Sequence, residues 1–295
     1  MDQHHVPQFL LRAWGDGNPN GKVVAFRLDL AEVTSRSLAP RSTGYETDAW
    51  TLTSPIVAGE DEYVIETKTM QSVDDDAAKV RAKLMAKGVQ SLTAEERCDW
   101  ARFLTSLRAR QPVFVEKIKS VGKSELLSHL AADPDQYLAI VGADDPPTLI
   151  EWAEKRVPGL IENFGLTNYP SLIDHADLVT KIINLRWLLL DVGKARYELL
   201  LSDNPCISIG KIDDPEVVIT LPISPTRVFV ACGGAQTAQN FIRAHPDKLV
   251  MLANESAINQ ASKRVYARTE DPGRFIENRV TKLRRERALH VAAKS

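Results

Sequence analysis

The chain has 295 residues, 44% apolar and 26% charged, with a formal net charge of −2, a balance unlike that of disordered or collagen-like chains. Its longest apolar runs, such as LRWLLLDVG, are broken by charge well short of the ~20 residues that span a bilayer, so no membrane partner is expected. The first residues carry neither the basic region nor the apolar stretch of a secretory signal, and Cys98, Cys206 and Cys232 stand far apart without CxxC spacing. Both features fit a cytoplasmic protein better than a disulfide-framed one.

In chain order, MDQHHVPQFLLRAW comes first. Read as the start of an extended strand through VPQFLL, it sends His4 and His5 to opposite faces, because the side-chain period of a strand is two. The turn signal GDGNPNG then leads into residues 21 to 52, which read as strands in a hairpin or short meander. SPIVAGEDEYVIET is polar and turn-rich. From Val73, DDDAAKVRAKLMAKG predicts a helix, acidic at its start and closed by Lys and Gly. Thr93 and Glu96 form a capping-box pattern ahead of Trp100, Leu104, Leu107, Phe114 and Ile118 at helical spacing, and Pro112 should kink or split that helix.

Residues 121 to 170 predict further helical pieces, and a helix is expected from about Asp174 to Leu190. After Gly193 the stretches YELLLSD, CISIG, EVVITLPIS and TRVFVACGG turn to β character. SAINQ then predicts a short helix before a strand in KRVYA, and the last twenty or so residues are helical in propensity. This order argues for an α+β fold, a mixed or antiparallel sheet of N- and C-terminal strands around a helical middle. The expected division is one α+β domain over 1–268 and a basic helical tail over 269–295. Lys263 to Arg287 holds nine Lys or Arg against four Asp or Glu, which makes this end a candidate nucleic-acid contact.

DQHHVPQFLLRAW, RARQPVF, LLLSDNPCIS, ITLPISPTRVFVAC and INQASKRVYAR together resemble a widespread family of uncharacterised proteins. Its members open HHYVPxFYLRxF and carry LRTP-, SDNP- and PLSP-like segments before an N-x-x-x-A-x-x-x-V end. The resemblance runs from about Gln3 to Arg268. It implies a single domain and no mechanism, since the family is a domain of unknown function. The matching positions are His4, His5, Pro7 and Phe9; Arg110 and Pro112; Ser202, Asp203, Asn204 and Pro205; Pro222 and Pro225; and Asn259 and Tyr266. HHVP is also similar to the opening of His-Asn-His nucleases, but the later Asn and His at suitable spacing are missing.

A histidine beside a carboxylate can move protons or hold a divalent cation with open positions. His4, His5, Asp203 and Asn204 are therefore the candidate catalytic residues, with Asp203 as general base or metal ligand. The alternative for SDNP is an Asx-turn that only reverses the chain. Arg110 borders the apolar helix stripe and needs an anionic partner, either a buried carboxylate such as Asp203 or Glu46 or a ligand's phosphate. Gln8 and Asn259 complete the candidate substrate-binding set, with Tyr45 and Glu46 as weaker nominees. No GxxxxGK[ST], GxSxG or HExxH pattern occurs. The reading is a hydrolase acting on a phosphodiester or nucleic acid with a His/Asp site and a possible divalent metal. The alternative is a non-catalytic domain that binds or senses nucleic acid or a protein partner.

Overall fold

Strand β1 (Asp2–His4) ends at a bend over His5 and Val6, and Pro7 then caps helix α1 (Gln8–Gly15). These coordinates are a computed structural model that describes residues 1–54 and 61–292. The extended reading of VPQFLL is corrected at Gln8. Leu10, Leu11 and Trp14 are all 0% exposed on one helical face, whereas a strand would send the two leucines to opposite sides.

Strands β2 (Val23–Arg27), β3 (Thr34–Leu38) and β4 (Tyr45–Thr47) follow, while Thr51 and Leu52 are irregular rather than strand. β4 pairs with β1, placing Tyr45 opposite His4 and Glu46 opposite Gln3. Of the turn-rich stretch SPIVAGEDEYVIET, residues 55–60 lie outside the described residues. Its end winds into a π-helical segment, Ile65–Met70, that continues into α2 (Gln71–Lys87). Gly88, at φ 75°, closes α2 in a conformation that L side chains resist.

Helix α3 (Ala94–Ala109) opens on the expected capping box, with Thr93 Oγ1 accepting the Glu96 N–H at 3.2 Å and Glu96 Oε2 accepting the Thr93 N–H at 2.7 Å. Pro112 splits the helical run: it stands first in α4 (Pro112–Leu130), leaving Arg110 and Gln111 as the break. Short helices α5 (Pro134–Leu138), α6 (Leu149–Arg156), α7 (Leu160–Thr167), α8 (Tyr169–Ile173) and α9 (Ala176–Asn184) fill the middle of the chain. The helix expected through Leu190 stops early. Leu185 is extended, and RWLLLD becomes strand β5 (Arg186–Asp191). Periodicity does not separate a short aliphatic run as helix or strand; pairing along its whole length with β9 (Arg227–Cys232) decides it.

Between them lie β6 (Leu201–Ser202), β7 (Ile207–Ile209) and β8 (Val218–Ser224), so most of YELLL is irregular and only its end pairs. Helices α10 (Ala235–Arg243) and α11 (Pro246–Gln260), strand β10 (Arg264–Ala267) and helix α12 (Gly273–Ala292) complete the chain. The fold is α+β. One antiparallel sheet, in order β3-β2-β10-β6, joins strands from both ends of the chain. A second, β5-β9-β8-β7, is built from the C-terminal half alone.

Trp100 and Trp187 meet Phe229 edge-on at 5.6 and 5.1 Å, binding α3 to the second sheet. α12 packs Ile276 and Val280 against Phe26 and Leu200 in a smaller apolar cluster. Among the described residues, no helix is long and apolar enough to cross a membrane.

Candidate functional site

The RARQP break gives the site its centre. Because Pro112 begins α4, α3 ends at Ala109 and turns Arg110 inward as its C-cap, where a cation suits the helix dipole. Arg110 is 0% exposed. Its partner is neither Asp203 nor Glu46. The guanidinium binds Asp74 in a bidentate fork, at 2.9 and 3.1 Å, and also donates to Ser106 Oγ at 2.9 Å and the His4 carbonyl at 3.3 Å. Burial pushes the Asp74 carboxyl upward and the guanidinium pulls it down. Since arginine does not release its proton, the fork holds an ionised carboxylate.

Three more titratable side chains gather on this pair. His4, half-buried, lies in the fields of Asp2, Asp74 and Arg110, and burial lowers its pKa below the usual histidine value. Asp2, the Arg41 backbone and Asp74 oppose that shift, and Arg110 adds to it. His4 Nε2 has no hydrogen-bond partner. Glu66, delivered by the π-helical segment, accepts the Trp50 indole N–H at 2.9 Å, and burial raises its carboxyl above the ordinary range. π-Helical turns are rare and recur at functional sites. Tyr169, 0% exposed, stacks on Trp50 with centroids 6.4 Å apart, and burial raises its phenol so that it stays protonated.

Among the described residues, the buried side-chain polar atoms without a hydrogen-bond partner include His4 Nε2, Arg110 Nε and Tyr169 Oη from this cluster, and His5 Nδ1 beside it. Folded proteins satisfy nearly all such groups, and leaving one bare costs about 1–3 kcal/mol. One imidazole nitrogen and two donors are thus left open around one buried ion pair, and Trp100 Nε1 is open in the core as well.

The remaining sequence candidates divide between this site and elsewhere. His5 is buried, and burial lowers its pKa to about 4; the fields of Glu46, His4, Lys263 and Arg110 also reach it, Glu46 and Lys263 being paired at 2.7 Å. Asp203 does not face His4. Its carboxylate accepts the backbone N–H groups of Ser262, Lys263 and Arg264 at 2.7–2.8 Å, fastening the end of α11 to β10. Burial pushes that carboxyl up while the three donors oppose the shift. The Asn204 N–H donates to Ser202 Oγ, and Gln260 donates to the Asn204 carbonyl, so SDNP forms a turn and a latch.

Asn259 accepts from Arg279 on α12, and Gln8 accepts from Arg12. Tyr266 shares a hydrogen bond with Thr43 at 3.1 Å. Pro222 flanks a bulge in β8, where a missing N–H is tolerated. Among the described residues, no three His, Cys, Asp or Glu side chains gather closely enough to hold a metal ion. Asp74, Glu66 and Tyr169 escape a reading of the sequence. Asp74 is one of three consecutive aspartates, each equally explained by the helix dipole, and nothing local marks the other two.

A model of the family described as "Protein of unknown function (DUF4238)" matches residues 2–271. No curated protein and no solved structure matches the chain.

Proposed function

From the premise that the chain belongs to this family of unknown function, we propose that it is a hydrolase working by general acid–base catalysis at the His4–Asp74–Arg110 cluster. The observation that carries the reading is the set of open buried atoms, His4 Nε2, Arg110 Nε and Tyr169 Oη, around one ion pair. Their roles follow from their protonation. His4, held neutral, takes a proton from water on Nε2 as the water attacks a carbonyl carbon. Arg110 Nε–H and the Tyr169 hydroxyl donate to the oxygen that gains charge. As the intermediate collapses, the bond to the leaving group breaks and Glu66, with its raised pKa, gives that group its proton. The proton on His4 then restores Glu66 through solvent, and the net reaction adds one water across one bond.

The charge balance selects the substrate. Arg110 is neutralised by Asp74, and Glu66 adds negative charge when ionised, so an uncharged ester or amide suits the site better than the phosphodiester that the sequence suggests. The nucleic-acid reading of the basic tail draws little support. Arg279 is held by Asn259 and Glu255, and Arg284 donates to the carbonyls of Leu28, Leu30 and Ala31.

The test compares p-nitrophenyl acetate with bis-p-nitrophenyl phosphate. Wild type should prefer the ester, with activity that falls in acid as His4 takes up a proton, at a pH below the ordinary histidine range. His4→Gln should lower kcat/KM at least about a hundredfold while remaining folded. A folded, fully active His4→Gln overturns the catalytic assignment, and faster phosphodiester cleavage overturns the substrate class.

A further inference from the structure

Strands β1 and β4 form a ribbon only three residues long on each side, with Tyr45 opposite His4. The Asp48 N–H donates to the Met1 carbonyl at 3.0 Å, so Met1–Asp48 and, two residues on, Gln3–Glu46 are the hydrogen-bonded pairs of the ribbon. His4–Tyr45 is then a pair of the other kind, in which side chains stand closest and the backbone groups face away from the partner strand. Both consequences are present. The His4 carbonyl faces outward and accepts from Arg110 at 3.3 Å, and the His4 and Tyr45 rings meet with centroids 5.4 Å apart and planes tilted by 57°.

The two backbones that set this contact are firmly held. Gln3, 0% exposed, accepts the Trp50 N–H at 2.8 Å and donates to Thr51 Oγ1 at 3.0 Å. Gly44, at φ 72°, accepts the Val6 N–H at 3.0 Å, and a Cβ there would press on Val6 and Leu11 at 3.1 Å. The His4 ring itself is held less well, since it is half-buried at the end of a short strand and its Nε2 has no partner. The charged and polar groups that act on it come from several elements: Asp2 on its own strand, the Arg41 backbone, Asp74 on α2 and Arg110 at the end of α3. His5 and His4 also feel one another. The ring in direct contact with the imidazole is that of Tyr45.

We propose that Tyr45 is the positioning residue of the site: its ring is the wall that keeps the His4 imidazole turned toward Asp74 and Arg110 instead of swinging out to water. The catalytic consequence rests on the proposed hydrolytic reading, whereas the hold on the ring does not. An aromatic contact of this kind favours the held orientation by about threefold to tenfold, and a general base works only while it stays within reach of the proton it takes. Without the wall, His4 rotates into solvent, and the burial that lowers its pKa is lost.

The test compares wild type with Tyr45→Leu, which removes the ring, and Tyr45→Phe, which keeps it; Tyr45→Val, a stronger strand former, replaces the leucine variant if that does not fold. Turnover of p-nitrophenyl acetate is measured beside an NMR titration of the His4 Cε1–H in the full chain, a signal assigned by its absence from His4→Gln. In Tyr45→Leu, kcat should fall about threefold to tenfold with KM unchanged. The His4 midpoint should rise toward 6.5, and the ring-current shift of its signal should disappear. Tyr45→Phe should rescue all three. A folded ring-less variant with an unmoved titration and shift overturns the proposal, as does a phenylalanine variant that fails to rescue. A moved titration with unchanged kcat overturns the positioning role in catalysis. Wild type that cleaves no ester overturns the hydrolase reading instead, and the titration alone then decides whether Tyr45 holds His4.

Discussion

Removing one partner of the Arg110–Asp74 pair should have unequal consequences depending on which partner goes. Arg110 is 0% exposed, whereas the Asp74 side chain retains 23% of its exposure. Asp74→Leu leaves a guanidinium that cannot deprotonate buried without a counter-ion, and should cost about 3–5 kcal/mol. Arg110→Met leaves a carboxylate that can reach solvent or take up a proton, helped by the upward push of burial on its pKa. The loss there should be nearer ~2 kcal/mol, arising from the orphaned His4 carbonyl and the altered Asp74. The double variant, apolar on both sides, should recover much of the difference, because burying two charges offsets most of what their attraction contributes. Urea unfolding of the four proteins closes the cycle and yields a coupling free energy between the two positions. Asp74→Leu costing less than about 1 kcal/mol, or less than Arg110→Met, would refute the reasoning, since either result means that the guanidinium has another anion.

Three further outcomes follow from the same geometry. His5, with its pKa lowered to about 4 against 6.5 in the unfolded chain, binds fewer protons folded than unfolded between those values. Its contribution is therefore whole above pH 6.5 and declines toward pH 4 by about 3 kcal/mol; a His5→Phe variant should show a shallower slope of stability against pH over this window, and an identical slope would exclude His5 as the source. Asp203→Asn presents an NH2 where backbone N–H groups require an acceptor, so it should lose about 2–4 kcal/mol in denaturant melts while p-nitrophenyl acetate turnover of the folded protein holds. A stable Asp203→Asn that loses all activity would instead restore Asp203 to the site. At the crossing of α4 and α7, a Cβ on Gly122 would stand 2.5 Å from Gly165 Cα, so Gly122→Ala should destabilise by about 1–3 kcal/mol through separation of the two helices, read as a lower Tm.

How far the sequence reached is visible in particular residues. Thr93 and Glu96, the Gly88 stop and the split at Pro112 were all legible, because a cap, a left-handed glycine and a missing N–H act within a few residues of themselves. The α+β order and the meeting of N- and C-terminal strands were legible from composition along the chain. RWLLLD was not, because six aliphatic-rich residues suit a helix or a strand equally and only the facing β9 chooses between them. VPQFLL failed for a similar reason: the buried face that makes it helical consists of the residues that receive Leu10, Leu11 and Trp14, including the Leu199 carbonyl that accepts the Trp14 indole N–H at 2.7 Å.

For the site, the chain alone marked His4 and Arg110 as residues in need of partners, since histidine placement and an arginine on an apolar stripe are local facts. Which carboxylates they meet was decided by packing. Asp74 lies 36 residues before Arg110, and nothing local distinguishes it from Asp75 and Asp76. Asp203, the more conspicuous aspartate within SDNP, turned instead to three backbone N–H groups brought to it by the end of α11. A charge declares from its own sequence that it must be compensated once buried, but the compensating atoms are fixed by long-range approach, and that approach exists only in the folded chain.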